Sequence, residues 1–207
     1  MNVESDKKKS IRKVLGQALK NACEEARNLT GESINALPEY FLVVKSADYI
    51  SKRFKSFTFF MEKPLVVLCE DVGIEREESI ERSCRLDGNA RADLVLMDKA
   101  GKKVKHVVEF KRGLHGGQIK KDALRLAGLC TLAPFGHRME KNFLVVVSHG
   151  VRKLGNRVED IKKLVEEHFP NVEVKFEAVD ISEYGSTRRN SEGKTLLGGV
   201  WEFAYKY

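Results

Sequence analysis

Apolar residues recur at three- and four-residue steps in four segments of the chain, which is the spacing of amphipathic helices. The helical segments are residues 10–28, 37–53, 118–130 and 157–169. Other segments are short and either alternate or are continuously apolar, which predicts β-strands. The strand segments are residues 56–62, 92–97, 105–111, 142–148, 172–181 and 199–207. The apolar run at 64–70 fits either a strand or a buried segment.

The order of these elements predicts an α/β fold, in which one mixed sheet is flanked by helices. Strands dominate the middle of the chain, and helices precede and follow them. At 207 residues the chain suits a single core of ordinary size. We expect residues 1–36 to form an N-terminal helical extension that packs on a core domain formed by residues 37–207.

Residues 90–112 predict a β-hairpin whose polar turn contains Gly101. If Gly101 lies near the tip, residues whose numbers sum to about twice 101 face each other, so Asp93 opposes Glu109. Side chains alternate along a strand, so Lys111 projects from the same face as Glu109. The hairpin therefore gathers two carboxylates and one ammonium group at a single place.

Two acids opposed across a sheet repel each other, and a divalent cation relieves that repulsion. Mg²⁺ takes one or two carboxylates and keeps positions for phosphate oxygens. A lysine beside the second acid stabilises the charge that develops on a phosphate during attack. The alternative is the solvated face of an ordinary hairpin, on which Asp93, Glu109 and Lys111 fall in this order by chance.

Asp93, followed after fifteen intervening residues by Glu109-Phe110-Lys111, resembles the D…(D/E)xK signature of the restriction-endonuclease-like, or PD-(D/E)xK, nuclease superfamily. The resemblance covers about residues 37–148. It includes an acid at the start of one strand, E-x-K at the end of the next, and then a glycine-containing loop and a helix. Ala92 stands where the family name has proline.

This resemblance implies a restriction-endonuclease-like core, an αβββαβ arrangement whose mixed sheet has a helix on either side. An N-terminal helix and C-terminal strands would be additions to that core. Residues 37–207 would then be the nuclease-like domain.

The resemblance also implies a Mg²⁺-dependent nuclease, with Mn²⁺ as a substitute, that hydrolyses phosphodiester bonds and acts on DNA as an endonuclease. Asp93, Glu109 and the backbone carbonyl of Phe110 would hold the metal. Lys111 would orient or deprotonate the attacking water and offset charge on the phosphate. The alternative is a non-catalytic nucleic-acid-binding or protein-interaction module that keeps the fold and uses the same groups as a structural charge cluster.

Two accessory candidates follow from the resemblance. Glu39 lies at the start of the helix at 37–53, and nucleases of this superfamily often place an acid from the first core helix beside the metal. The helix dipole explains a glutamate in the first turn equally well. Gln118 matches the first position of a Q-x-x-x-Y motif that positions substrate in some branches, but Asp122 stands where the tyrosine would be.

The chain carries 37 Lys and Arg against 30 Asp and Glu, a net charge of +7, which favours a polyanionic partner such as nucleic acid. Candidate phosphate contacts are Lys121 and Arg125 on the helix after the hairpin, and Arg188 and Arg189 in a polar loop. A solvated helix surface explains Lys121 equally well, and a disordered loop explains the two adjacent arginines. A homodimer would help double-strand cleavage, although nothing in the sequence shows one.

The four cysteines are scattered without the close spacing of a zinc site, so we expect them to be reduced and mostly buried. No apolar run approaches the roughly 20 residues of a membrane span. The first ten residues have no apolar segment of the kind that forms a secretory signal. The sequence therefore predicts a cytoplasmic protein with no membrane partner.

Overall fold

The computed structural model describes residues 10–74, 90–101, 103–113, 116–149, 151–185 and 195–207. The helices are α1 (Ile11–Thr30), α2 (Glu39–Arg53), α3 (Leu65–Asp71), α4 (Gly116–Leu132) and α5 (Val151–His168). The strands are β1 (Phe57–Pro64), β2 (Arg91–Asp98), β3 (Val104–Arg112), β4 (Asn142–His149), β5 (Val172–Asp180) and β6 (Leu196–Tyr205).

The strands form one mixed sheet in the order β1-β2-β3-β4-β6-β5. β2 is antiparallel to both β1 and β3, β4 is parallel to β3, and β6 is antiparallel to both β4 and β5. The α/β class with a mixed sheet between helices is therefore confirmed. Because β3 and β4 are parallel, their carboxyl ends lie at the same end of the sheet.

Alternating side chains of the central strands fill a separate core on each face of the sheet. Leu94, Val108 and Val145 pack under α1 and α2. Val107 and Leu144 point to the other face, under α3, α4 and α5. The seven residues that begin β4 are all buried, as its continuous apolar run predicts for a strand covered on both sides.

The β2–β3 hairpin has the register that the sequence predicts. Leu94 pairs with Val108 and Leu96 with His106, so opposed numbers sum to twice 101. Gly101 lies in the turn with φ of 67°, a left-handed conformation that favours glycine. A bulge lies between Leu96 and Met97, nearer to the turn than Asp93 and Glu109 are.

The apolar run at 64–70, for which the sequence left two alternatives, lies mostly in the short helix α3, which begins at Leu65. Pro64 precedes its first residue with φ of −56°, and proline at this point loses no helical hydrogen bond. Leu65, Leu68 and Cys69 recur at helical spacing and are buried. Helix α5 also begins six residues before the predicted 157, and the buried Leu154 continues the apolar spacing of Val158 and Ile161.

Cys23, Cys69 and Cys130 are buried, as the sequence predicts, while Cys84 lies outside the described residues. Burial raises the pKa of Cys23 and Cys130 to about 12. Among the helices in the described ranges, none is both long and apolar enough to cross a lipid bilayer.

Asn142, at the start of β4, joins α4 to β3 through its fully buried side chain. Its Oδ1 accepts the backbone N–H of Val107 at 2.9 Å. Its Nδ2 donates to the carbonyl of Leu126 at 3.0 Å and to Sγ of Cys130 at 3.2 Å. A buried amide with this many partners holds the helix in one position over the sheet.

Helix α1 approaches β6 closely at Gly198. A Cβ atom on Gly198 would lie 2.5 Å from Cδ2 of Leu19, whose side chain is fully buried. Glycine at this position therefore lets the helix contact the strand directly, and any larger residue would push the two apart.

We expect Gly198→Ala to lower the free energy of unfolding by about 1–3 kcal/mol, because Leu19 has no free volume to move into. Urea denaturation of both proteins measures the difference. Gly155→Ala on the exposed side of α5 is the control, since a Cβ there meets no atom within 4 Å. It should leave stability unchanged or raise it by up to about 1 kcal/mol. Equal losses in the two variants would contradict this explanation.

Candidate functional site

The carboxyl end of β3, the start of β2 and the first turns of α2 and α4 surround a cleft of about 390 Å³. Its walls are mostly charged. The ionisable and amide side chains that line it are Glu39, Arg91, Asp93, Glu109, Lys111, Arg112, Gln118, Lys121, Asp122 and Arg125.

Asp93 and Glu109 lie side by side at the open end of the hairpin. The backbone pairing of β2 with β3 extends to Leu94 and Val108. At the next residue of β2, Oδ2 of Asp93 accepts the backbone N–H of Phe110 at 2.7 Å. The side chain of Glu109 is only 1% exposed, so it does not lie on a solvated hairpin face. The alternative of a chance arrangement in solvent is thereby removed for Glu109.

Burial raises the pKa of Asp93, Glu109 and Asp122. For Glu109 the charge of Asp93 raises the pKa further, while Arg125 opposes the rise. For Asp93 and Asp122 the nearby Lys111 is the main opposing charge. The cleft therefore concentrates acidic groups that favour a cation between them.

Lys111 is the central cation of the cleft. Its Nζ donates a hydrogen bond to the carbonyl of Phe110 at 2.9 Å. The same atom lies 3.6 Å from Oδ2 of Asp122, 3.7 Å from Oε1 of Glu39 and 3.9 Å from Oδ2 of Asp93. Burial lowers the pKa of Lys111, but the surrounding carboxylates, Asp122 first, outweigh burial and leave the pKa raised.

Arg125 is the second cation. Its guanidinium donates to Oε1 of Glu109 at 3.0 Å and to Oδ1 of Asp122 at 2.9 Å. Its side chain is 12% exposed, so these ion pairs are largely shielded from water. Within the described part of the chain, Oδ2 of Asp122 is buried without a hydrogen-bond partner, although Lys111 is close enough for an ion pair.

Glu39 joins the start of α2 to the end of β3. Its Oε2 accepts the backbone N–H of Arg112 at 2.8 Å. The guanidinium of Arg112 in turn donates to the carbonyls of Asn35 and Leu37, just before the helix. These contacts hold the Glu39 carboxylate over the cleft, where the resemblance suggested an acid from this helix.

The structure brings the predicted residues Asp93, Glu109, Lys111 and Glu39 together in the cleft. The other predicted residues lie in different surroundings. Gln118 and Lys121 are exposed on the cleft wall. Arg125, a predicted phosphate contact, is instead engaged by two buried carboxylates. Arg188 and Arg189 lie outside the described residues.

Asp122 is the cleft residue that the sequence analysis noted only as a departure from a motif. Gln118, Lys121, Asp122 and Arg125 recur at three- and four-residue steps, opposite the buried Ile119 and its neighbours. A polar stripe of this kind on one side of α4 was a usable signal, because residues at these spacings share a helix face. Arg112, directly after the motif lysine, gave no comparable signal.

The residues present fit a divalent cation. Glu39, Asp93, Glu109 and Asp122 bring four carboxyl groups together, and Lys111 and Arg125 form the ion pairs with them. Arg91, Arg112 and Lys121 add further cations to the lining of the cleft. No group of three or more His, Cys, Asp or Glu side chains in the described ranges is already arranged to hold a metal. Mg²⁺ keeps several waters and needs only one or two carboxylates, which Asp93 and Glu109 supply.

Comparisons of the chain with protein-family models, with curated proteins and with solved structures found no match. The interpretation of the cleft therefore depends on its own geometry and chemistry.

We expect Arg125→Met to lower the free energy of unfolding by about 3–5 kcal/mol, because it leaves the buried Glu109 carboxylate without its cation. Adding Glu109→Gln should recover at least about 1 kcal/mol, since the amide carries no charge. Chemical denaturation of the single and double variants measures this coupling. Arg157→Met is the matched control, because Arg157 pairs with the exposed Asp160 and its loss should cost less than about 1 kcal/mol. Strictly additive effects would contradict the buried ion pair.

We expect Mg²⁺ or Mn²⁺ to bind the folded protein in a calorimetric titration and to raise its melting temperature. A cation at 100 times its dissociation constant adds about 2.7 kcal/mol of stability. Asp93→Asn should abolish binding while keeping an oxygen that accepts the Phe110 N–H, and Glu109→Gln should act likewise. Asp160→Asn on the surface of α5 should bind as the parent does. Unchanged binding by both cleft variants would rule out this metal site.

Proposed function

We propose that the protein is a metal-dependent nuclease of the PD-(D/E)xK type that hydrolyses phosphodiester bonds of nucleic acid and acts on DNA as an endonuclease. The observation that carries the proposal is the convergence of Asp93, Glu109 and Lys111 in one cleft at the end of the sheet. Lys111 Nζ lies 3.9 Å from Asp93 Oδ2 and belongs to the same strand as Glu109.

The order and direction of the elements support this proposal. The succession α2, β1, β2, β3, α4, β4 follows the αβββαβ order, with three antiparallel strands and a fourth parallel to the third. Helix α3 is an addition between β1 and β2, and α1, α5, β5 and β6 are additions outside this set. The acids lie at the end of the sheet where β3 and α4 meet.

In this proposal Asp93 and Glu109 would hold Mg²⁺, together with the carbonyl of Phe110. A bound Mg²⁺ would supply a charge that polarises a phosphate and lowers the pKa of a water molecule. For Oε1 of Glu109 to bind the metal, Arg125 would have to break its hydrogen bond to that oxygen, but it could keep its hydrogen bond to Asp122. The carbonyl of Phe110 would likewise exchange its hydrogen bond from Lys111 for the cation.

Lys111 would then act on the phosphate side of the cleft. Its ammonium group would orient the attacking water and offset the negative charge that accumulates on the phosphate. Glu39 and Asp122, on opposite walls, limit where that ammonium group lies. Gln118 and Lys121 are exposed on the α4 wall, where they would contact the nucleic-acid backbone.

A specific observation favours the alternative, a non-catalytic module that retains the fold. The ion pair of Arg125 with Glu109 already neutralises one of the two acids that the metal would need. A charge cluster that is satisfied within the protein requires no cation. The cleavage and titration experiments separate the two functions, because only the nuclease requires both acids to bind metal.

We expect Asp93→Ala and Lys111→Ala each to reduce Mg²⁺-dependent cleavage of supercoiled plasmid by about a hundredfold or more, because Asp93 would hold the metal and Lys111 would offset charge on the reacting phosphate. Gel analysis of nicked and linear products over time measures the rate. Lys162→Ala, at an exposed ion pair on α5, is the control and should cleave at the parental rate.

Circular dichroism should show that both cleft variants remain folded. Full activity in both would overturn the assignment, and a parent protein that cleaves neither plasmid, linear duplex nor single strands with Mg²⁺ or Mn²⁺ would favour the binding module. Attack on linear ends alone would replace the endonuclease assignment with an exonuclease.

A further inference from the structure

A second cavity, of about 240 Å³, lies at the opposite end of the sheet from the cleft. Lys103, just before β3, and Lys105, near the start of β3, line this cavity, whereas the cleft residue Lys111 is near the end of the same strand. Six residues of extended strand separate Lys105 from Lys111 by roughly 20 Å. The two sites therefore share no lining residue.

The rim of this second cavity carries the two most exposed large hydrophobic side chains in the described ranges. Phe135 is 86% exposed and Tyr207 is 91% exposed. Single exposed apolar residues are ordinary, but two aromatic rings around one cavity indicate a contact surface. Tyr205 extends the group, since its ring centroid lies 5.6 Å from that of Tyr207 in an edge-to-face arrangement.

Basic side chains lie between these rings. Arg138 places its guanidinium 4.2 Å from the ring centroid of Tyr205, so one cation is already stacked on an aromatic face. Nζ of Lys103 donates to the carbonyl of Gly136 at 2.6 Å, which holds that lysine at the cavity. Glu140 is the one carboxylate among the residues lining the cavity, and it lies 3.8 Å from Lys105.

We propose that this aromatic patch, formed by Phe135, Tyr205 and Tyr207 with Lys103, Lys105 and Arg138, binds single-stranded nucleic acid. Three cations against one carboxylate give the lining an excess of positive charge, which complements phosphates. The exposed rings supply faces on which unpaired bases stack.

This combination distinguishes a single strand from other polyanions. A duplex keeps its bases stacked inside and offers the rings only its backbone. An acidic polypeptide satisfies the lysines but leaves Phe135 and Tyr207 without a stacking partner. This proposal does not depend on the nuclease activity proposed for the cleft. If the cleft does cleave nucleic acid, the aromatic patch would give the protein a second contact with the same nucleic-acid strand.

Fluorescence anisotropy of the full chain with a labelled single-stranded oligonucleotide tests the proposal. EDTA and the Lys111→Ala background prevent cleavage, so failure of the nuclease proposal cannot be confused with failure of this one. We expect the double variant Phe135→Ala, Tyr207→Ala to bind about tenfold more weakly, equal to about 1.4 kcal/mol, because base stacking is lost. Both side chains are largely exposed, so the fold should survive their removal.

The matched control is Phe60→Ala, because Phe60 is also exposed and has the ammonium group of Lys63 4.9 Å from its ring. This control should bind the strand as the parent does. The same phosphate backbone without bases should bind the parent protein about tenfold more weakly than the complete strand. Equal affinities for the complete strand, the baseless backbone and a duplex would overturn the proposal, and so would parental affinity in the double variant.

Discussion

The register of the β2–β3 hairpin is the constraint on which the charged cleft depends. It places Asp93 across from Glu109 at the point where backbone pairing gives way to a hydrogen bond between the Asp93 carboxylate and the Phe110 N–H. A shift by one residue would turn every side chain of a strand to the other face and bury the wrong set. Because the apolar residues of both strands are committed to the two cores, the register is fixed by packing, and the acids are held together as a consequence.

Buried carboxylates then determine what surrounds them. An isolated buried charge is costly, so each acid needs a cation or a hydrogen-bond donor. Arg125 forms ion pairs with Glu109 and Asp122. Lys111 lies within ion-pair distance of Asp122, Glu39 and Asp93, and Asp93 also accepts the backbone N–H of Phe110. These two cations are shared among four acids, and Arg91, Arg112 and Lys121 add further positive charge to the lining of the cleft. Burial raises the pKa of Asp93, Glu109 and Asp122, a perturbation that occurs both at functional sites and in structural ion-pair networks.

The features that the sequence predicted are those set by local pattern. Gly101 and the apolar alternation beside it define the hairpin, and a continuous apolar run defines β4. The partners of Asp122 and Arg125 were not predictable in this way, because they depend on how α4 is rotated against the sheet. That rotation is fixed by the buried Asn142, which reads in the sequence only as a polar residue before an apolar strand. Helix α3 escaped prediction since a short apolar run has the same composition in either conformation.

The side chain of Asn142 also has a mechanical consequence. It links the strand that carries Glu109 to the helix that carries Arg125 through bonds to Val107 and Leu126, inside an interior that excludes water. Motion that widens the gap between this strand and this helix must first break those bonds without replacement by solvent. The floor of the cleft is therefore stiff, and any rearrangement within the cleft falls to the side chains of Arg125 and Lys111 rather than to the backbone.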